Sequence, residues 1–97
     1  MGEAKEFLLS ARTRVPDQVL FQEVGAHSAL LHMESELYFG LDEVGTRMWK
    51  TLLEAETIGA AAQTLIETYD VAPEQMRDDL INLVRELEKH GLIKIDS

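Results

Sequence analysis

The sequence predicts an α+β domain of winged helix-turn-helix type, a three-stranded antiparallel sheet followed by three helices. Three observations lead there. Short runs between residues 18 and 40 alternate apolar and polar side chains with the period of a strand. From Asp42 onward the apolar spacing turns helical and stays so to about residue 90. All strand-like runs precede all helix-like runs, with no internal repeat, so strands and helices are segregated rather than alternating.

Residues 1–17 show no clean period and read as a flexible N-terminal arm, in which Phe7 to Leu9 could add a short strand. Lys5, Arg12 and Arg14 make this arm less acidic than the rest, and Pro16 restricts Val15 to an extended or turn entry. The domain proper is read as 18–97. Gln18 to Val24 is the first strand, with Leu20, Gln22 and Val24 on one face and Val19, Phe21 and Glu23 on the other. Ser28 to Met33 is the second and Glu36 to Gly40 the third, joined by short polar turns as in a meander. Asp42 caps the first helix, whose apolar stripe is Val44, Met48, Trp49, Leu52 and Leu53. Thr57 caps the second, whose face is Ile58, Ala61, Ala62, Leu65, Ile66 and Tyr69. Pro73 opens the third, with Glu74 at the positive end of the helix dipole and a stripe of Met76, Leu80, Leu83, Val84 and Leu87. Gly91 ends it as a C′ residue, and Leu92 to Ile95 returns as a short strand or packs as a tail. Trp49 is expected to be buried.

Composition narrows the function. With 97 residues and 45% hydrophobic content the chain makes one small domain with a modest core. It has no cysteine, which excludes disulfides, thiol nucleophiles and thiolate metal sites. No apolar run approaches the ~20 residues of a membrane span, and no secretory pattern opens the chain, so a cytoplasmic location is the default. The net charge of −9 either serves solubility or favours a basic or neutral partner. It argues against nucleic acid and anionic membranes. A DNA-reading winged helix needs Arg and Lys on its recognition helix. Here the third helix sets Glu74, Asp78, Asp79, Glu86 and Glu88 against Arg77, Arg85 and Lys89, and the second has no basic residue from Thr57 to Tyr69.

Signs of catalysis are missing. His27, His32 and His90 are scattered without metal-ligand spacing, and His90 beside Gly91 reads as a cation at a helix C-terminus. No glycine-rich phosphate loop is present, and no serine has a nucleophile-elbow context. Asp78 and Asp79 are adjacent on a helix, so they point about 100° apart and cannot share a proton. The chain is expected to be neither an enzyme nor a holder of metal or cofactor.

The third strand carries the functional signal. It lies at an edge of the meander, where outward N–H and C=O groups lack partners, and "LYFG" has no lysine, proline or inward charge to guard it. Such an edge is an aggregation liability or a binding site. With the long third helix beside it, strand and helix would form a groove that accepts an extended peptide by β-augmentation. Leu37 and Phe39 face one side, Tyr38 and Gly40 the other, and the bland alternative for Leu37 or Phe39 is plain core.

At this level the residues resemble a known family. "VLFQEVGAHSALLHMESELYFGLDEVGTRMWKTL" followed by "DVAPEQMRDDLINLVRELEKHGLI" is similar to the PqqD superfamily of RiPP recognition elements, with Tyr38-Phe39-Gly40-Leu41-Asp42, Gly45, Trp49, Asp79-Leu80, Leu87 and Gly91-Leu92-Ile93 most telling. The likeness spans about Val15 to Ile95 and is strongest to the separate leader-binding subunit of lasso peptide biosynthesis. That resemblance implies that a precursor's leader peptide binds as an extra antiparallel strand between the third strand and the third helix. It further implies presentation of the leader to a separate cysteine protease, the core peptide passing on to an ATP-dependent cyclase. Carried over by position, the site is Glu36, Leu37, Tyr38 and Phe39 on the strand and Met76, Asp79, Leu80 and Leu83 on the helix. Asp79 would meet a polar or basic leader group or else stand as a solvated acid, and some of the helix stripe must be core. An exposed Ile81 would point to the opposite flank. The alternatives are a PqqD-like peptide chaperone for a radical-SAM or other tailoring enzyme, and a repurposed winged-helix DNA-binding regulator.

Overall fold

The computed structural model describes residues 2–96, with side chains from Glu6 onward. Met1, Ser97 and the Lys5 side chain, which the expected arm and domain include, lie outside the described residues. The order is α1 (Gly2–Ser10), β1 (Arg12–Arg14), β2 (Val19–Val24), β3 (His27–His32), β4 (Leu37–Leu41), α2 (Glu43–Glu54), α3 (Ile58–Thr68), α4 (Pro73–Lys89) and β5 (Lys94–Asp96). The expected α+β architecture is present: a three-stranded antiparallel sheet, ordered β2-β3-β4, packed against the helices. Its cross-strand rows are Val19, His32 and Leu37, then Phe21, Leu30 and Phe39, then Glu23, Ser28 and Leu41. These rows face the helices; Leu20, Gln22, Val24, Tyr38 and Gly40 are exposed on the other face.

The helix caps follow the sequence chemistry. The Asp42 carboxylate accepts from the Gly45 N–H at 2.7 Å, and the Thr57 hydroxyl accepts from the Ala60 N–H at 3.0 Å. Gly91 sits at φ 72°, a conformation that side chains with a Cβ rarely adopt. There the Gly91 N–H donates to Glu88 O at 3.0 Å and the Leu92 N–H to Leu87 O at 2.9 Å, a Schellman ending with Leu87 and Leu92 buried in one cluster.

Two apolar clusters form the core. One joins the helices: Met48, Leu52, Ile58, Ala61, Ala62, Leu65, Met76, Leu80 and Val84, with Ala11. The other lies between sheet and helices: Leu30, Leu41, Trp49, Leu87, Leu92 and Ile93, with Phe21, Leu37, Phe39 and Leu83 packed on it. A buried hydrogen bond of 2.7 Å between the Ser28 and Thr46 hydroxyls ties β3 to α2 where polar atoms would otherwise go unpaired.

The segment before Pro16 departs from the sequence reading. Phe7 to Leu9 is not a strand but the last part of α1, and β1 pairs antiparallel with β5, Thr13 opposite Ile95. The physical reason is tertiary. The half-buried Leu9 packs on the helical cluster, Ala11 is buried, and its carbonyl accepts from the Ile58 N–H at 3.0 Å. A nine-residue helix is too short to hold itself by propensity, so no periodic signal announces it. Gly59 permits the approach: a Cβ there would stand 2.9 Å from the Leu9 carbonyl oxygen. Gly59→Ala is therefore expected to lift α1 from α3 although alanine is the better helix former by ~1 kcal/mol. Limited proteolysis should cut faster around Ser10 to Arg12 in that variant, with peptide binding at the sheet unchanged.

Candidate peptide-binding groove

β4 is a terminal strand: β3 pairs one side of it and, among the described residues, no strand pairs the other. The free side therefore exposes the alternate N–H and C=O groups that a further strand would use. Alternation within β4 sorts its side chains. Leu37 and Phe39 are half-buried toward the helices, whereas Tyr38 is 66% exposed on the far face. Glu36, just before the strand, sits at φ 62° in the turn that leads into β4, and its N–H donates to His32 O at 2.8 Å.

α4 supplies the other wall. Its backbone does not pack closely on β4; side chains span the space. The His90 ring lies 5.6 Å from the Phe39 ring at 53°, and His90 Nε2 is 3.4 Å from Glu86 Oε1. Leu83 packs against both core clusters. Asp79, one turn before Leu83, is exposed and accepts from Gln75 Nε2 at 2.9 Å. The arrangement is an open ladder, an apolar floor of Leu37, Phe39 and Leu83, and a polar helix flank above it. It can hold an extended backbone; among the described residues no group of three or more His, Asp or Glu could hold a metal ion.

The sequence-derived site residues are not all brought together. Leu37, Phe39 and Leu83 are brought together on one cluster, whereas Glu36 is exposed in the turn before β4, Asp79 is exposed on α4 one turn from Leu83, and Tyr38 points to the far face. Met76 and Leu80 are not exposed to the cleft: at 3% and 0% exposure they sit in the inter-helix cluster with Met48, Ile58 and Leu65. Their stripe position faces the other helices because α4 packs on α3 with that face. Ile81 is buried as well, so the opposite flank offers no exposed apolar wall at that position. His90, which meets Phe39, and Glu86, which meets His90, were not placed beside the third strand by the sequence reading. Their signal was available: they follow Leu83 by seven and three residues and so share its flank of the helix. An open concavity of ≈310 Å³ lies elsewhere, lined by Glu23, Arg47, Lys50 and Tyr69 among others, where Lys50 already bonds Glu23 at 3.0 Å.

Comparison with known proteins gives a family. Residues 28–93 match the model of coenzyme PQQ synthesis protein D, PqqD. The chain belongs to the PqqD family. The match runs from β3 through the end of α4 and so contains both walls of the cleft. Among solved structures, TbiB1 in complex with the TbiA(beta) leader peptide is 28% identical, with a TM-score of 0.78, covering 84% of this chain and 94% of that one. A lasso peptide synthetase B1 complexed with its leader peptide has the same TM-score at 23% identity, covering 87% and 99%, and carries the fold alone. No curated protein matches significantly. This PqqD-family chain has the architecture of a RiPP recognition element. No helix among the described residues is long and apolar enough to cross a membrane.

Proposed function

We propose that this PqqD-family chain is a non-catalytic adaptor. It captures the leader of a ribosomally made precursor peptide as an added antiparallel strand on β4. The observation that carries the reading is the unpaired side of β4 standing beside α4 across an apolar floor. The similarity to TbiB1, solved with a leader peptide, supports it. In this reading the groove is lined by Glu36, Leu37, Phe39, Asp79 and Leu83, Tyr38 contributes its backbone, and Met76 and Leu80 act from beneath by fixing the helix. The leader-binding domain is 18–97, and the arm 1–17 packs back on it through α1 and β1. The bound leader is presented to a separate cysteine protease in lasso peptide maturation, and the core peptide then reaches the cyclase. Precursor and adaptor meet in the cytoplasm, without cofactor, nucleic acid or membrane.

A second reading, a peptide chaperone for a radical-SAM or other tailoring enzyme, is favoured by the family match to a PQQ synthesis protein. Both share the leader-binding step. Titration of the purified chain with the fluorescent leader of its precursor peptide should show saturable binding in the micromolar range or tighter, and no cleavage of the peptide by the chain alone. Absence of binding to that leader would defeat both readings. Co-purification with a transglutaminase-like protease selects the first, and with a radical-SAM enzyme the second.

A further inference from the structure

One contact orients α4 in the groove. Because His90 meets Phe39, the residues within about 40° of its direction at 100° per position are Leu83, Asp79, Glu86 and the buried Met76. This flank contains two carboxylates and no Lys or Arg. The bases of α4 point elsewhere: Arg77 to the opposite flank, where it pairs with Glu74 at 3.6 Å, and Arg85 and Lys89 to the exposed side. Across the cleft, the turn into β4 adds exposed Glu34 and Glu36. The partners within α4 leave the acids largely uncompensated. Asp79 accepts from the neutral amide of Gln75, and Glu86 meets His90, an ionic pair only when the imidazole is protonated.

We infer that the peptide strand taken up by β4 presents at least one Lys or Arg toward α4, its alkyl stem on Leu83 and Phe39 and its head on Asp79 or Glu86. The inference rests on the groove reading and states what the groove selects. A strand added to β4 sends alternate side chains inward. An inward residue must cover the apolar floor and also approach carboxylates that lose water as the cleft fills. A long basic side chain meets both conditions, since its stem is apolar and its end is cationic. Asp79 and Glu86 lie seven residues apart, about 10 Å along the helix axis, so a single head reaches one of them and not both. The chain's net charge of −9 would draw such a peptide toward the cleft from a distance.

The test pans a random dodecapeptide display library against the full chain, against Asp79→Lys/Glu86→Lys and against Tyr38→Pro, each confirmed folded by circular dichroism. The wild type is expected to enrich peptides with Lys or Arg at a fixed position among alternating apolar residues. The double charge variant should lose that preference and enrich Asp or Glu there. For one enriched peptide, Glu86→Gln or Asp79→Asn should weaken binding about 3- to 10-fold at low salt, and less at physiological ionic strength, where screening acts over ~8 Å. Peptides that need an intact β4 but show no basic preference, or the same preference with both carboxylates reversed, would overturn the inference and leave the groove standing. Enriched peptides that bind Tyr38→Pro as well as wild type, or no enrichment at all, would overturn the groove reading along with it.

Discussion

Tyr38→Pro is expected to weaken leader binding far more than Tyr38→Ala. The tyrosine side chain is 66% exposed and points away from α4, so trimming it removes little of the groove. Its backbone lies in the middle of β4, opposite Leu31 of β3. A proline there deletes one N–H and locks φ near −65°, far from the ~−140° of an antiparallel strand. Neighbouring outward groups then lose alignment with an added strand. Loss of two main-chain bonds at ~0.5–1.5 kcal/mol each corresponds to about 5- to 150-fold in affinity. Alanine should cost only a few-fold. Fluorescence anisotropy with a labelled leader measures both, and a thermal melt checks the fold. A folded Tyr38→Pro protein with wild-type affinity would refute strand addition on β4.

The largest expected loss of stability comes from Trp49→Ala. Trp49 is 1% exposed, belongs to the cluster between sheet and helices, and stacks on Phe21 with centroids 5.9 Å apart and planes at 26°. It thereby bonds α2 to β2 across the centre of the sheet. Truncating a buried tryptophan costs ~3–5 kcal/mol, a large share of the ~5–15 kcal/mol that holds a typical domain together. Urea unfolding followed by far-ultraviolet circular dichroism should give a markedly lower midpoint. Trp49→Phe should cost much less. It keeps an aromatic ring against Phe21 and removes an indole N–H that is buried without a hydrogen-bond partner. Equal losses for the two variants would refute this account, since they would show that neither the ring volume that phenylalanine keeps nor its contact with Phe21 stabilises the fold.

Much of the architecture was legible because its signals are local. The change from period two to helical spacing at Asp42, the capping side chains of Asp42 and Thr57, Pro73 at a helix start and Gly91 beyond a helix end each act within a turn or two of chain. Alternation likewise sorted the strand side chains into two faces, but packing decided which goes in: Val19 and Phe21 are half-buried, and Leu20 and Tyr38 stay out. The open side of β4 also followed from strand order alone.

The elements and residues that escaped depend on contacts between distant segments. α1 exists against α3, through Leu9, Ala11 and a gap that Gly59 leaves; β1 exists only as the partner of β5, some eighty positions away. Within α4 the heptad-like stripe of Met76, Leu80, Leu83, Val84 and Leu87 is one pattern in sequence, yet it serves two clusters. Periodicity tells which residues turn inward, not what they meet. Met76 and Leu80 meet the helices, Leu83 lies at the border, and His90, at the end of α4, meets Phe39. By itself, then, the chain's pattern determined the α+β class, the element order and the unguarded strand edge, since propensity, capping and alternation are short-range. Only the tertiary structure decided which side of α4 faces that edge, because the rotation of a helix about its axis is set by packing against the whole core.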